Sequence, residues 1–140
     1  MAAQRWYAGK DAAEDPKRST SAAEAASAGE GRASKVVSSL VFHQTPMAEK
    51  RAGLAAMLQA VRPGGEAHIA DYGLQRTPLM RSLFRQVQRL DGFDNTQPNA
   101  LGVLPELMVQ AGFADVAERL VIATPTGSIS IYFGRRPTAQ

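Results

Sequence analysis

The chain has 140 residues, a formal net charge of +3, a hydrophobic content of 44% and no cysteine. This composition indicates one domain with a modest core, and it excludes disulfides, thiolate metal sites and cysteine nucleophiles. The first residues lack the apolar segment of a signal peptide, and no apolar run approaches the roughly 20 residues that cross a bilayer. The sequence therefore predicts a cytoplasmic protein with no membrane partner.

Residues 1–34 are predicted to form a low-complexity, largely disordered segment. No Val, Ile, Leu or Phe precedes Val36, so this segment buries too little apolar area to offset its conformational entropy. A loose match to the glycine-rich loop G-x-G-x-x-G begins at Gly29. That motif binds phosphate groups when a strand precedes it and a helix follows it. Here a strand follows it, so we do not expect it to hold a cofactor.

From residue 35 to residue 138 the pattern predicts one α/β unit. The run "KVVSSLVFH" (35–43) is nearly continuously apolar, which is typical of a strand buried on both faces. Thr45-Pro46 reads as the cap and first residue of a helix that ends before Pro63-Gly64. The run "EAHIAD" (66–71) predicts a second strand.

The second half repeats the alternation of helix and strand. Thr77-Pro78 begins a helix with an apolar stripe, and "DGFDNTQPN" (91–99) predicts a loop. A short helix in "LPELMVQA" ends at Gly112, and "VAERLVIA" and "SISIYFG" predict two strands joined by a tight hairpin. The order β-α-β-α-α-β-β predicts an α/β sheet of parallel strands with an antiparallel terminal strand.

Polar side chains follow the first two predicted strands. His43 ends the first strand, and Asp71 and Tyr72 end the second. Because the carboxyl ends of neighbouring parallel strands lie at one edge of a sheet, we expect these side chains to be close together, where open sheets bind ligands. A purely structural alternative is that Asp71 caps a turn, Tyr72 packs and His43 ends its strand. His68 alternates within its strand and is expected to be structural.

Four segments together resemble the C-terminal half of a class I S-adenosylmethionine-dependent methyltransferase, of the broad group called methyltransferase type 11. They are "KVVSSLVFHQ", "LQAVRPGGEAHIADYG", "LMVQAGFADV" and "TGSISIYFGRRP". The resemblance spans about Lys35 to Pro137 and implies a partial Rossmann-like sheet, in which the four strands correspond to the fourth to seventh of seven. It also implies a transferase that moves a methyl group from S-adenosylmethionine to a small-molecule acceptor.

The resemblance also assigns roles to particular residues. Ser39 and Leu40 match positions that border the methionine part of the cofactor, S-adenosylmethionine. The positions that match the acceptor site are Phe42, Tyr72 and Phe84, with His43 and Asp71 as the catalytic residues that take a proton from the acceptor. Core packing is the alternative role for Phe84 and its neighbours on the helix.

The family's glycine-rich cofactor loop precedes the matched region, so the resemblance describes a truncated enzyme that is inactive as an isolated chain. The family's first-half helices would be missing, leaving one sheet face uncovered and the edge of the first strand open. Both surfaces favour self-association. The alternatives to an enzyme are a binding or self-association module and a truncated remnant. The acidic loop residues fit no calcium pattern, so we predict no metal, and a nucleic-acid partner is not expected.

Overall fold

The computed structural model describes residues 6–9, 19–20 and 31–138, and the described part forms a six-stranded sheet in the order β2-β1-β3-β4-β6-β5. The strands are β1 (Trp6–Gly9), β2 (Ser19–Thr20), β3 (Ala33–Ser39), β4 (Val61–Tyr72), β5 (Ala114–Thr124) and β6 (Gly127–Arg135). The helices are α1 (Met47–Ala60), α2 (Pro78–Asp91), α3 (Phe93–Ala100) and α4 (Val103–Ala111), and a 3-10 turn spans Phe42–Gln44.

The sheet from β3 to β6 has the predicted α/β topology. β3 and β4 are parallel neighbours, and β6 lies antiparallel between β4 and β5. Buried side chains of α1 and α4 pack in one core cluster against the sheet, including Leu54, Met57 and Leu107. The two helices therefore share a face, as successive right-handed crossovers require.

The two predicted helix starts have different outcomes. Thr77 caps α2, because its side chain accepts a hydrogen bond from the amide of Met80 at 3.1 Å, and Pro78 is the first helical residue. Thr45 does not cap α1. Its hydroxyl donates to the carbonyl of Phe42 at 2.9 Å, so the side chain closes the 3-10 turn, and Pro46 occupies the cap position.

The segment predicted as a loop, residues 91–99, contains most of α3. That prediction is wrong because tertiary contacts outweigh the weak helix propensity of a sequence with Pro98 inside it. Thr96 and Asn99 are fully buried. The side-chain amide of Asn99 donates to the carbonyl of Tyr72 at 2.8 Å, which fixes α3 over the end of β4.

The edge of β3 is not open, which corrects the sequence prediction. β1 pairs antiparallel with β3 from Trp6–Ser38 to Gly9–Lys35, and β2 pairs with β1. The residues of β1 and β2 belong to the segment predicted to be disordered. The remainder of that segment, up to residue 30, lies outside the described residues.

The sheet face opposite α1 and α4 carries apolar side chains that solvent reaches. Val37, His68 and Phe133 are aligned across β3, β4 and β6 on this face. Val37 is 40% exposed, and Leu120, which pairs with Ile131 on the same face, is 55% exposed. Helix α2 covers only the end of this face, where Phe84 clusters with Tyr72 and Ile129. Phe133, in contrast, is only 2% exposed, because the guanidinium carbon of Arg119 lies 3.6 Å from its ring centroid. Among the described residues the face is therefore partly open, and self-association through it stays a prediction. None of the helices in the described part is long and apolar enough to cross a membrane.

Candidate active site at the carboxyl end of the sheet

Asp71 is the centre of the site and is completely buried at the end of β4. Its Oδ2 accepts hydrogen bonds from the amides of Val41 and Phe42, at 3.1 and 2.7 Å, and its Oδ1 accepts from the amide of Tyr72 at 2.9 Å. Hydrogen bonds from backbone amides to a carboxylate are among the stronger ones in proteins. Asp71 thus closes the turn after β3 through both of its oxygens, as in the structural alternative.

His43 lies between two carboxylates and is almost fully buried. Its Nδ1 is 2.8 Å from Oδ1 of Asp71, and its Nε2 is 3.2 Å from Oδ2 of Asp91 at the end of α2. Asp71 therefore orients the imidazole, since a bond at one ring nitrogen sets the role of the other. The other ring nitrogen, Nε2, is the one that can exchange a proton, and in this structure it is hydrogen-bonded to Asp91.

Aromatic rings form one side of the site. The Tyr72 ring meets the His43 ring edge-on with centroids 4.9 Å apart, and the Phe84 ring is 5.1 Å from Tyr72 on the other side. The Tyr72 hydroxyl is 2.8 Å from Oγ1 of Thr126, and Phe84 is fully buried. Four of the residues predicted for the site, His43, Asp71, Tyr72 and Phe84, are thus brought together.

The other predicted residues lie apart from this group. Ser39 and Leu40 are exposed at the end of β3, and Leu40 has a φ of 54° while its amide donates to the carbonyl of Ala70 at 2.8 Å. Phe42 is completely buried in the core beneath α1. Its ring packs there, although its backbone amide contributes to the site through Asp71.

Lys50 is a buried charge that sequence reasoning missed. Its Nζ donates to the carbonyl of Phe42 and, at 2.8 Å, to the carbonyl of Asn95, so it joins the 3-10 turn to α3. Burial lowers the pKa of Lys50 to about 8, against the opposing attraction of Asp71. A signal existed, because Lys50 lies four residues before Leu54 on the apolar face of α1. His43 and Asp91 are 48 residues apart in the sequence, and no local pattern predicts their contact.

The arrangement suits proton transfer better than metal binding. Within the described ranges, no three His, Asp or Glu side chains are placed to hold one metal ion. An imidazole oriented by a buried carboxylate is a common general base, once its outer nitrogen is free. Displacement of Asp91 would free that nitrogen, and Asp91 is on the helix pair α2 and α3 that covers the site.

Comparison with known proteins places the fold among methyltransferases. No protein-family model and no curated protein sequence matches the chain. Among solved structures it is similar to an O-methyltransferase family protein from Burkholderia thailandensis, with a TM-score of 0.61 and 19% identity over 86% of this chain and 35% of that one. It is also similar to human N-acetylserotonin methyltransferase in complex with SAM, with a TM-score of 0.53 and 18% identity over 76% of this chain and 30% of that one.

A SAM-dependent methyltransferase from Thermotoga maritima has a TM-score of 0.58 and 12% identity to the chain, over 77% of this chain and 58% of that one. The chain thus spans about a third of the length of the first two proteins and under two thirds of the third. At these identities the likeness shows the fold, which is that of a class I methyltransferase. The human protein was solved in complex with SAM, that is, S-adenosylmethionine.

The described residues do not fit a complete site for that cofactor. A phosphate- or nucleoside-binding loop must follow a strand at the carboxyl edge of the sheet. β1 occupies the position beside β3, but it is antiparallel, so its last residue, Gly9, lies beside Lys35 at the amino end of β3. Gly9 therefore lies at the edge of the sheet opposite Ser39. Gly31, in the loose glycine motif, likewise precedes β3 and bonds to the carbonyl of Gln59 at the amino edge.

Proposed function

We propose that the chain is the C-terminal, acceptor-side half of an S-adenosylmethionine-dependent methyltransferase for a small-molecule acceptor, of the type 11 group. The observation that carries this proposal is the contact of His43, in the 3-10 turn that follows β3, with Asp71 at the end of the adjacent parallel strand β4. In this role Nε2 of His43 takes the proton of an acceptor hydroxyl or amine, and Asp71 holds the ring and stabilises the resulting imidazolium. Tyr72 and Phe84 provide the apolar wall on which an acceptor ring would pack.

Access to His43 requires a movement in this proposal. His43 is only 6% exposed, and Asp91 occupies its outer nitrogen. An acceptor must therefore displace the end of α2, and its own hydroxyl or amine then replaces the Asp91 carboxylate at Nε2. Helices that cover a site in this way commonly open and close around the substrate.

We further propose that the isolated chain transfers no methyl group. Ser39 and Leu40 can border a cofactor, but the described residues provide no glycine-rich loop that follows a strand at the same edge. Without that loop the methyl donor is not held in line with an acceptor, and the large advantage of orientation is lost.

An NMR titration of the full chain with S-adenosylhomocysteine tests this assignment. We expect backbone amide shifts at Ser39 and Leu40 that do not saturate in the micromolar range, because only part of the cofactor's contacts exist. Shifts elsewhere, or none at any concentration, would contradict the cofactor assignment. Saturation in the micromolar range would contradict the proposed inactivity instead.

The open sheet face favours a second candidate function, a module that associates with its own copies. Exposed apolar side chains lie on it, with Val37 at 40% and Leu120 at 55%. Sedimentation of Val37→Asp tests this candidate, with Val109→Asp as a matched control, since Val109 is 60% exposed on α4 at the other face. Loss of a dimer in Val37→Asp alone supports the module. A monomeric parent chain rules it out.

A further inference from the structure

A groove lies on the outer side of α3, away from His43 and Asp71. It has a volume of about 500 Å³ and is formed by α3, the beginning of α1 and the beginning of α4. Its apolar residues include Met47, Phe93, Leu101 and Val103. Small-molecule sites in proteins commonly measure about 300 to 1,000 Å³ and have mostly apolar walls. The groove has the size and lining of such a site.

Two of the apolar residues are unusually open to solvent. Phe93 is 59% exposed and Leu101 is 69% exposed, at the two ends of α3. Their exposure is not explained by a loose helix, because Thr96 and Asn99 on the inner side of α3 are completely buried. The carbonyl of Asn95 accepts a hydrogen bond from Lys50 at 2.8 Å, which holds the same helix from below. The groove is thus preformed, and a ligand need not order it.

The charge of the groove has one sign. Asp94 and Glu106 are its charged residues, and no Lys, Arg or His is among its described lining residues. Glu106 accepts a hydrogen bond from Gln110 at 3.4 Å, and the guanidinium of Arg51 is bound to Gln110 rather than to Glu106. The chain as a whole is positively charged, so this local negative charge is not a general property of its surface.

We propose that this groove binds a small hydrophobic amine. The apolar body of the amine packs on Phe93 and Leu101, and the ammonium group of the amine lies between the carboxylates of Asp94 and Glu106. The site is separate from the proposed acceptor site, and the inference does not depend on methyl transfer. A neutral or anionic compound of the same shape gains the apolar contact without the charge attraction, so the groove discriminates by charge.

Calorimetric titration of the full chain with three matched compounds tests the proposal. The probes are 3-phenylpropylamine, 3-phenylpropanol and 3-phenylpropanoate, which share one apolar body and differ in charge. We expect the amine to bind most tightly and the carboxylate most weakly. Equal binding of all three compounds, or no binding of the amine, would overturn the proposal.

Variants connect any binding to this groove. Exposed charge pairs contribute modestly, so Asp94→Asn and Glu106→Gln should each weaken amine binding about threefold, and the double variant about tenfold. Phe93→Ala should weaken binding of the amine and of the alcohol alike. Asp115→Asn is the control, because Asp115 is an exposed carboxylate at the start of β5, outside the groove. Amine binding that survives in the double variant, or that Asp115→Asn weakens equally, would overturn the assignment to this groove.

Discussion

Asp71 and His43 lie 28 residues apart in sequence, and Oδ1 of Asp71 is 2.8 Å from Nδ1 of His43. The contact exists because β3 and β4 are parallel neighbours whose ends meet at one edge of the sheet. The same carboxylate accepts backbone amides from the turn after β3. The candidate active site and the local fold therefore depend on one side chain.

Replacement of Asp71 by Asn should destabilise the protein by about 3 kcal/mol. The Asn side chain accepts hydrogen bonds only at its oxygen. Its NH₂ group would therefore face backbone amides that the carboxylate binds in the parent chain, and those buried amides would lose their acceptor. Urea denaturation of Asp71→Asn measures the loss. Asp94→Asn, at an exposed carboxylate on α3, is the matched control and should change stability by less than about 0.5 kcal/mol. Equal stability of the two variants would show that the Asp71 contacts carry little energy.

The contact of Asp91 with His43 should be weaker than that of Asp71. The Asp91 side chain is 29% exposed and its contact is 3.2 Å long. We expect Asp91→Asn to cost about 1 kcal/mol or less, in line with partly exposed pairs. Asp91→Ala, which removes the carboxyl group, should make the His43 ring more accessible, and diethyl pyrocarbonate modification would measure this as a faster reaction than in the parent chain. An unchanged modification rate would argue that Asp91 does not cover the imidazole.

Lys50 should make stability rise with pH between 8 and 10. Its pKa is lowered to about 8 by burial, against 10.5 in the unfolded chain. Below pH 8 Lys50 is protonated in both the folded and the unfolded chain, and the cost of burying its charge is fully present. Above pH 8 only the unfolded state holds the proton, so stability increases with pH. The neutral amine still has two N–H groups for the carbonyls of Phe42 and Asn95.

The measurement is the unfolding free energy of the parent chain and of Lys50→Met at pH 7 and pH 10. We expect the unfolding free energy of the parent, relative to that of Lys50→Met, to increase by about 2 kcal/mol from pH 7 to pH 10. Burial raises the pKa of Tyr132 to about 12, which opposes the trend above pH 10 but affects both proteins. A difference that does not vary with pH would contradict a lowered Lys50 pKa.

The two glycines at the start of β4 should respond differently to alanine. A methyl group on Gly65 would lie 2.8 Å from the carbonyl oxygen of Ser34 and 2.9 Å from that of Arg62, which are backbone atoms that cannot move away. A methyl group on Gly64 has room, and only the φ of 78° is unfavourable. Gly64→Ala should therefore cost about 1 kcal/mol and Gly65→Ala clearly more, measured by thermal unfolding. The reverse order would contradict the packing at this corner.

The sequence predicts the sheet well, because its strands depend on local patterns. The apolar run 35–43 locates β3, the run 66–71 locates β4, and the structure brings together the polar residues that follow them, His43 and Asp71. What it does not predict depends on contacts between distant segments. Helix α3 forms in spite of Pro98 because its inner residues are buried against β4. Burial of Lys50 is decided by two backbone carbonyls from different parts of the chain.

The pairing of β1 with β3 is a second feature that local patterns do not reveal. The four residues of β1 form too short a run to read as a strand, and their pairing depends on the free edge of β3. Because β1 is antiparallel to β3, its last residue, Gly9, lies beside Lys35 at the amino end of β3.

Calorimetric titration of the purified chain with S-adenosylhomocysteine, with its oligomeric state checked by light scattering, tests the central claim most directly. If the chain is the acceptor-side half of a methyltransferase without a cofactor loop, a folded sample will show no saturable binding in the micromolar range. Saturable micromolar binding at one site per chain would contradict this conclusion. It would mean that another part of the chain, or a second copy, provides the missing side of the cofactor site.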